Sequence, residues 1–189
     1  LDMYRQIFRV PVYLQVILAT FKVSALVTMV CLALGYPLAY VLATRRPRTA
    51  QLLMIIVVLP FFTSIIVRTY AWMVLLGRNG IVNQYLMALG LSDKPLLLLY
   101  NQGGVVIGMS YVLLPYMVLT LYAAMRGIDP SLMRAAESLG ASGFYTFRRV
   151  YFPLSLHGVL SGALIVYILS IGYFITPALM GGQHDIMIA

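Results

Sequence analysis

The sequence predicts an all-α fold, a polytopic bundle of membrane-spanning helices. Of the 189 residues, 62% are hydrophobic and only 10% are charged. A soluble domain of this length needs more polar surface than that to cover its core. The mean hydropathy of +0.94 likewise favours a chain that has the lipid bilayer as its solvent.

Four segments are long and apolar enough to cross a membrane, since a spanning helix needs roughly 20 such residues. They are residues 23–43, 52–76, 104–125 and 156–180, and each contains one proline: Pro37, Pro60, Pro115 and Pro177. Proline kinks a helix, but in a membrane bundle the freed carbonyl group finds a partner in a neighbouring helix or a water molecule. We therefore expect four kinked spans in a single domain covering residues 1–189.

The arginines predict how the spans are oriented. Arg45, Arg46 and Arg48 lie in the 44–51 loop, and the 126–153 loop carries four more. Loops rich in arginine stay on the cytoplasmic side, so both loops are expected there. This bias accounts for the net charge of +8 more simply than a nucleic-acid partner does, and no nucleic acid is expected. On the other side, the segment "IVNQYLMALGL" predicts a short surface helix that stops at Gly90.

The 126–153 loop predicts a helix-turn-helix elbow. Asp129 and Pro130 are typical of a helix start, and Gly140 is typical of a helix end. Ser142 is placed to cap a second helix, and Pro153 to open the next span. This second helix would present Phe144, Phe147 and Tyr151 on one apolar face.

Two interpretations of the elbow are possible from its residues. Its arginines could lie on anionic membrane lipid, with both helices resting among the headgroups. Alternatively, the small residues Ala135 and Ala136 let the backbone of another protein come close. The residues alone leave both interpretations open.

The elbow resembles the cytoplasmic "EAA" loop of permease subunits of bacterial ABC importers. The matching positions are Ala135, Ala136, Leu139, Gly140, Ala141, Ser142, Phe147 and Pro153. The stretches "LGYPLAYVLA" and "YFITPALMGG" look most like the spermidine/putrescine-type branch. The resemblance covers essentially the whole chain, as the second to fifth spans of a six-span subunit. It departs at Arg134, where the family has glutamate, and at Phe-Pro, where the family has Leu-Pro.

The resemblance implies a mechanism and a set of partners. Residues 130–152 would be the coupling helix, which docks in a cleft of separate ABC ATPase subunits that bind ATP and Mg²⁺. This chain is expected to hold no cofactor, metal or catalytic residue. A second permease subunit, identical or different, would complete the path, and a periplasmic or lipid-anchored solute-binding protein would deliver a polyamine. The expected location is the bacterial inner membrane.

The coupling contact is expected to involve Arg134, Ala135, Ala136, Glu137, Leu139, Gly140, Ala141, Ser142, Phe147 and Pro153. In the family, the motif glutamate is expected to meet a basic residue of the ATPase, which Arg134 cannot do. Either Glu137 supplies the carboxylate, or the ATPase carries an acid opposite Arg134. We hypothesise the second, because Glu137 lies three residues after Arg134 on the same helix and can form an ion pair with it.

The candidates for the translocation path are Arg68, Tyr167, Ser170, Tyr173 and Thr176. Charge inside a span is costly and usually functional, although a side chain that snorkels to the outer interface is the preferred interpretation of Arg68. The hydroxyls would line an aqueous path, but hydroxyls and closely spaced glycines, here Gly158 and Gly162, more commonly serve helix packing. Because the spans carry no acid, selectivity for a cation would rest on the binding protein and on aromatic faces.

Three alternatives remain. The first is an importer for another solute, such as ferric iron, a phosphonate or an opine. The second is an ATP-independent channel or secondary carrier, which would need gating charges or an ion site of its own. The third is a membrane-embedded enzyme, against which the absence of a nucleophile–base–acid set counts. The sequence also lacks a GxxxxGK[ST] phosphate loop, so ATP hydrolysis is expected on another subunit.

Overall fold

Helices dominate the described part of the chain. A computed structural model describes residues 11–173 and 175–181. The helices are α1 (Pro11–Thr44), α2 (Pro47–Val58), α3 (Ile65–Leu76), α4 (Ile81–Ala88), α5 (Gln102–Arg126), α6 (Pro130–Ser138), α7 (Gly143–Thr146), α8 (Phe152–Ile171) and α9 (Ile175–Met180). A 3-10 turn, Leu59–Phe62, follows α2, and a turn of π-helix, Phe147–Tyr151, joins α7 to α8. These residues contain no strand, and the predicted all-α class is confirmed.

Among the described residues, three helical segments are long and apolar enough to cross a membrane: Gln15–Thr44, Gln102–Arg126 and Gly143–Ile171. The fourth candidate is a pair of segments, Pro47–Phe62 and Ile65–Ala88, with a bend of 103° between them. Polytopic membrane architecture is therefore found as predicted, but as three helices and one broken pair.

The predicted span 52–76 is not a single kinked helix. α2 ends at Val58, and α3 begins only at Ile65, after the 3-10 turn. Pro60 is buried in that turn. Since proline has no N–H to donate and its ring clashes with the carbonyl group one turn back, the helix stops there and does not merely kink.

The predicted span 156–180 begins and ends earlier than expected. Its helix runs from Gly143 to Ile171, and α9 is a separate short helix. Pro153 was expected to open the span, yet the helix passes through it. The N–H of Phe152 bonds to the carbonyl of Phe147, five residues back. Because this wider turn directly precedes Pro153, the helix continues through the proline although proline has no N–H to donate.

The helices fall into two compact units, each described by itself. Of the described residues, the first unit comprises 11–28, 61–113, 167–173 and 175–181. In it, α9 packs on α3, where the hydroxyl oxygens of Thr176 and Thr69 are 3.5 Å apart. α9 also packs on α5 at Gly108, where an added Cβ would lie 2.9 Å from Cγ2 of Thr176.

The first unit also holds the short helix predicted after residue 77. It is present as α4, and Gly90 follows it with a left-handed φ of 69°. The buried Asn83 ties α4 to the next segment. Its amide donates to the carbonyl oxygens of Gly77 and Leu96, both at 3.0 Å, and its oxygen accepts from the N–H of Leu96 at 2.9 Å.

The second unit comprises residues 29–60 and 114–166, and glycines set its helix spacing. A Cβ at Gly35 of α1 would lie 2.9 Å from Met117 of α5. On α8, a Cβ at Gly162 would lie 2.9 Å from Sδ of Met117, and one at Gly158 would overlap Cβ of Ala124. Gly158 and Gly162 therefore pack α8 closely against α5, the packing role predicted for them.

Candidate functional site

The first arm of the elbow is α6, and the backbone fixes where it ends. Gly140 has a left-handed φ of 84°. Its N–H donates to the carbonyl oxygen of Glu137 at 2.9 Å, and the N–H of Ala141 donates to the carbonyl oxygen of Ala136 at 3.1 Å. This pair of bonds forms a Schellman motif, which needs a residue that adopts the left-handed conformation without strain. The predicted helix stop at Gly140 is confirmed.

The second arm begins at Ser142, whose Oγ accepts a hydrogen bond from the N–H of Tyr145 at 3.4 Å. The predicted cap is therefore present. From α7 the chain continues through the π-helical turn into α8 without interruption. The second arm is thus the end of a membrane span and not an independent helix, so a displacement of this arm acts directly on α8.

A groove of about 490 Å³ lies at the bend of the elbow. Its lining consists of Ala136, Leu139, Gly140, Ala141, Ser142 and Tyr145. Most of the side chains in the lining are small, and Leu139, which is 89% exposed, adds apolar surface to it. Exposed apolar side chains around a shallow concavity are typical of a surface that docks another protein.

Half of the ten predicted coupling residues line this groove, which we call the elbow groove. Ala136, Leu139, Gly140, Ala141 and Ser142 line it. Arg134, Ala135 and Glu137 are exposed on α6. Phe147 and Pro153 do not line it: Phe147 packs on other rings, and Pro153 is exposed on α8.

An aromatic cluster, made of Tyr36, Tyr40, Phe147, Tyr151 and Phe152, joins the second arm to α1. Tyr40 meets Phe147 and Tyr151 edge to face, with ring centroids 5.4 and 5.1 Å apart. The hydroxyl of Tyr36 lies 2.8 Å from Oγ of Ser155. Edge-to-face contacts of this kind add stability beyond the area they bury. The cluster therefore fixes the second arm to the first span.

The cluster corrects one expectation and reveals residues that sequence reasoning missed. Phe144 was assigned to the same apolar face as Phe147 and Tyr151, but it is exposed, and Thr146 is buried in its place. The π-helical turn changes the register that a regular α-helix would have. Tyr36 and Tyr40 were not singled out, although their spacing of four residues places both on one face of α1.

The charges on α6 do not pair as predicted. No ion pair joins Arg134 to Glu137 in the part of the chain that the structure describes, and both side chains are exposed. Arg134 does interact electrostatically with Asp129. Hydrogen bonds from Ser131, and to a smaller extent the charge of Arg134, hold the pKa of Asp129 below its usual value. Arg134 and Glu137 are thus both available to a partner.

Arg68 lies in the first turn of α3 and is buried, in contrast to the preferred snorkelling orientation. It is 9% exposed, and its Nε and Nη1 are buried without a hydrogen-bond partner among the described residues. A buried guanidinium group does not match a side chain that reaches the outer interface, so Arg68 remains a path candidate.

The other path candidates also lie in the first unit. Ser170 and Thr176 are buried, while Tyr167 and Tyr173 are half-buried. Thr176 lies against Thr69, so its hydroxyl serves helix packing. The ring of Tyr167 lies 6.4 Å from that of Phe21. Oγ of Ser170, like Nε and Nη1 of Arg68, is buried with no hydrogen-bond partner among the described residues.

Comparisons with known proteins place this arrangement in a family. The family of binding-protein-dependent transport system inner membrane components matches residues 35–188. The spermidine/putrescine transport system permease protein PotB of Escherichia coli K12 is 36% identical over 188 residues, which cover 100% of this chain and 68% of PotB. The molybdenum transport system permease protein ModB of Mycobacterium bovis is 32% identical over 169 residues, which cover 89% of this chain and 62% of ModB.

Two crystal structures of a bacterial ABC transporter involved in the import of the acidic polysaccharide alginate share the fold. The TM-scores are 0.69 and 0.72, at 19% and 18% identity, and the second structure is a complex with an alginate pentasaccharide-bound periplasmic protein. Each match covers 97% of this chain and 66% of the solved chain, and at this identity it shows the fold alone. Because the family matches residues 35–188 and the helices suit a membrane, this chain belongs to the inner membrane components of binding-protein-dependent transport systems and is a transporter permease, not an enzyme.

Proposed function

We propose that this chain is a permease subunit of an ATP-driven ABC importer and forms part of the path by which polyamines cross the inner membrane. The observation that carries the proposal is the 36% identity to a spermidine/putrescine permease, which extends over the whole of this chain. A second permease subunit, identical or different, would complete the path. A solute-binding protein, periplasmic or lipid-anchored, would meet the outer loops, including residues 77–101.

The elbow, residues 130–152, would dock on a separate ATPase subunit that binds ATP and Mg²⁺. The small residues of the elbow groove would let the ATPase approach the backbone closely. Because the second arm continues into α8 and is fixed to α1 by the aromatic cluster, closure of the ATPase would move both spans. The permease would then alternate between inward-open and outward-open states.

The first test is which proteins remain bound to the full-length permease after extraction in mild detergent. We expect mass spectrometry to identify an ATPase with a phosphate loop. Gly140→Trp should release it, whereas Gly90→Trp, at another left-handed glycine with open space around it, should not. If the permease is recovered alone and moves solute in ATP-free vesicles, the function is that of a channel or secondary carrier.

The charge on the elbow offers a second test. If the ATPase carries an acid opposite Arg134, Arg134→Glu should weaken ATPase capture and lower uptake. The control is Arg48→Glu, which reverses an exposed charge outside the elbow. Unchanged assembly and uptake in Arg134→Glu would show that this pairing does not exist.

A second candidate solute follows from the molybdenum permease relative, which is 32% identical over 89% of this chain. The binding protein that co-purifies decides between the two solutes, because its bound ligand can be identified directly. Uptake by vesicles that contain the complete transporter should be saturable for labelled spermidine. Uptake of labelled molybdate in place of spermidine would contradict the polyamine assignment while leaving the ATPase coupling intact.

A further inference from the structure

A second concavity of the second unit is separate from the elbow groove. It measures about 390 Å³, and its lining includes Arg45 after α1, Arg126 at the end of α5, Met133 of α6 and Tyr151. We call it the arginine cavity. A smaller cavity of about 190 Å³ is also lined by Arg45 and Arg126. None of the residues lining either cavity lines the elbow groove.

The charges around the arginine cavity favour an anion. Arg45 and Arg126 line both cavities, and neither forms an ion pair within the described residues. Acids are scarce nearby, because the second unit contains only Asp129 and Glu137 against Arg45, Arg46, Arg48, Arg126, Arg134, Arg148 and Arg149. Two unpaired guanidinium groups that line one cavity suit a ligand with several acceptor oxygens.

Tyr151 provides an independent indication of a ligand. It lines the arginine cavity and is 7% exposed, and its hydroxyl is buried without a hydrogen-bond partner among the described residues. A buried hydroxyl that lacks a partner is unfavourable, and the great majority of such groups in proteins are paired. A ligand oxygen in the cavity would supply the missing acceptor.

We propose that the arginine cavity binds the phosphate group of an anionic phospholipid. Arginine pairs with phosphate through two parallel hydrogen bonds, and Tyr151 would donate another. The lipid is favoured over free phosphate because α1 and α5, both long enough to span a membrane, end at Thr44 and Arg126, which line the cavity. Their ends place the cavity at the level of the lipid headgroups.

The apolar surroundings of the cavity fit the rest of a lipid. Ala43, Met125 and Ile128 contribute apolar surface to the lining. On α2, which borders the smaller cavity, Leu52, Ile55 and Ile56 are each at least 60% exposed and would lie against an acyl chain. Pro130 and Met133 of α6 also line the arginine cavity, so a bound headgroup would support the first arm of the elbow.

The test is retention of phosphatidylglycerol by the full-length transporter, delipidated in detergent and measured by native mass spectrometry. The cavity variant is Arg45→Gln with Arg126→Gln. The matched control is Arg46→Gln with Arg148→Gln, which also removes two positive charges, but from residues that line neither cavity. We expect the cavity variant to bind phosphatidylglycerol about 20-fold more weakly and the control to bind it normally. Equal loss in the two variants, or no loss in the cavity variant, would overturn the proposal.

Two further measurements address folding and the source of the phosphate. Tyr151→Phe keeps the ring and should weaken binding about threefold, so it tests the site without a large change in packing. Wild-type affinity in this variant would exclude Tyr151 from the site. Inorganic phosphate, titrated into the same samples, should displace the lipid only weakly. If millimolar phosphate displaces it fully from the wild type, the site binds a free phosphate group and the lipid assignment is wrong.

Discussion

Gly140 determines the shape of the elbow through its backbone conformation alone. Its φ is 84°, and no atom lies within 4 Å of the position that a Cβ would occupy. Gly140→Ala therefore introduces strain without a steric clash, and a left-handed conformation costs a non-glycine residue about 1–2 kcal/mol. We expect the bend to relax and ATP-driven uptake to fall several-fold, measured in vesicles that contain the complete transporter.

Gly90 provides a matched control for this change. It also has a left-handed φ, 69°, and open space around it, but it follows α4 and lies far along the chain from the elbow. Gly90→Ala should therefore cost similar stability without loss of the ATPase in the detergent pull-down. If Gly140→Ala and Gly90→Ala release the ATPase equally, the effect follows from lost stability and not from the shape of the elbow.

Asp129 makes the start of the elbow sensitive to pH. The backbone N–H of Ser131 donates to its carboxylate at 2.8 Å, and the pKa of Asp129 is lowered mainly by hydrogen bonds from Ser131. Because the pKa is lowered by folding, ionised Asp129 gives α6 its full stabilisation at pH values above the pKa of aspartate in the unfolded chain, about 3.9. This stability is lost as the pH falls through the pKa of the folded protein.

Amide hydrogen exchange at Ser131, measured between pH 5 and pH 2.5, checks this expectation. After correction for intrinsic exchange rates, protection should fall at the acid end. Asp129→Asn should abolish this pH dependence, because asparagine caps a helix without titrating. If the wild type and the variant show the same profile, protonation of Asp129 does not govern the cap.

At the scale of elements, the aromatic cluster links the elbow to the first span. Phe147 contacts Tyr36, Tyr40, Tyr151 and Phe152 at centroid distances from 5.4 to 6.5 Å. Phe147→Ala removes these contacts and leaves a cavity, and we expect it to lower thermal stability by about 2 kcal/mol. ATP hydrolysis by the assembled transporter should continue while uptake falls.

Phe144→Ala is the control for the cluster. It removes the same side chain one turn earlier, where the ring is 75% exposed. Thermal stability that remains near wild type in this variant would assign the stability loss of Phe147→Ala to the cluster. A Phe147→Ala transporter that loses ATP hydrolysis in parallel with uptake would instead point to failed assembly.

The contact between α5 and α8 depends on Gly158. A Cβ there would overlap Cβ of Ala124, which has no freedom to move aside, whereas at Gly162 the obstacle is the flexible end of Met117. Gly158→Ala should therefore destabilise the protein by about 1–3 kcal/mol, and Gly162→Ala by less. Thermal unfolding in detergent gives both values. Equal losses of stability in the two variants would show that the rigidity of the neighbouring side chain does not determine the cost of the added Cβ.

Local signals in the sequence predicted local structure well. Gly140 and Ser142 indicated the turn and the cap of the elbow, because each acts on backbone groups within a few residues. Pro60 and Pro153 show the limit: both were expected at helix kinks or starts, but one ends a helix and the other is accommodated by a wide turn. Asn83 and Tyr36 form hydrogen bonds with residues distant in sequence, and no local pattern predicts such partners.

For the whole molecule, the distribution of charge limits where a polyamine can be recognised. The acids among the described residues are Asp93, Asp129 and Glu137, and all three lie outside the segments that cross the membrane. Arg68 even places a buried positive charge in the first unit. The described spans therefore contain no carboxylate that could bind a polycation. Recognition of the solute is expected to depend on the binding protein.

Spermidine binding to the permease–ATPase complex tests this expectation directly. Without the binding protein, isothermal titration should detect no saturable binding below about 1 mM, because cation–π contacts with exposed rings contribute only about 0.5–1 kcal/mol each. Uptake should begin when the spermidine-loaded binding protein is added. The empty binding protein, at the same concentration, is the control. Micromolar binding to the complex alone would mean that the spans contain a cation site and that selection is shared between the two proteins.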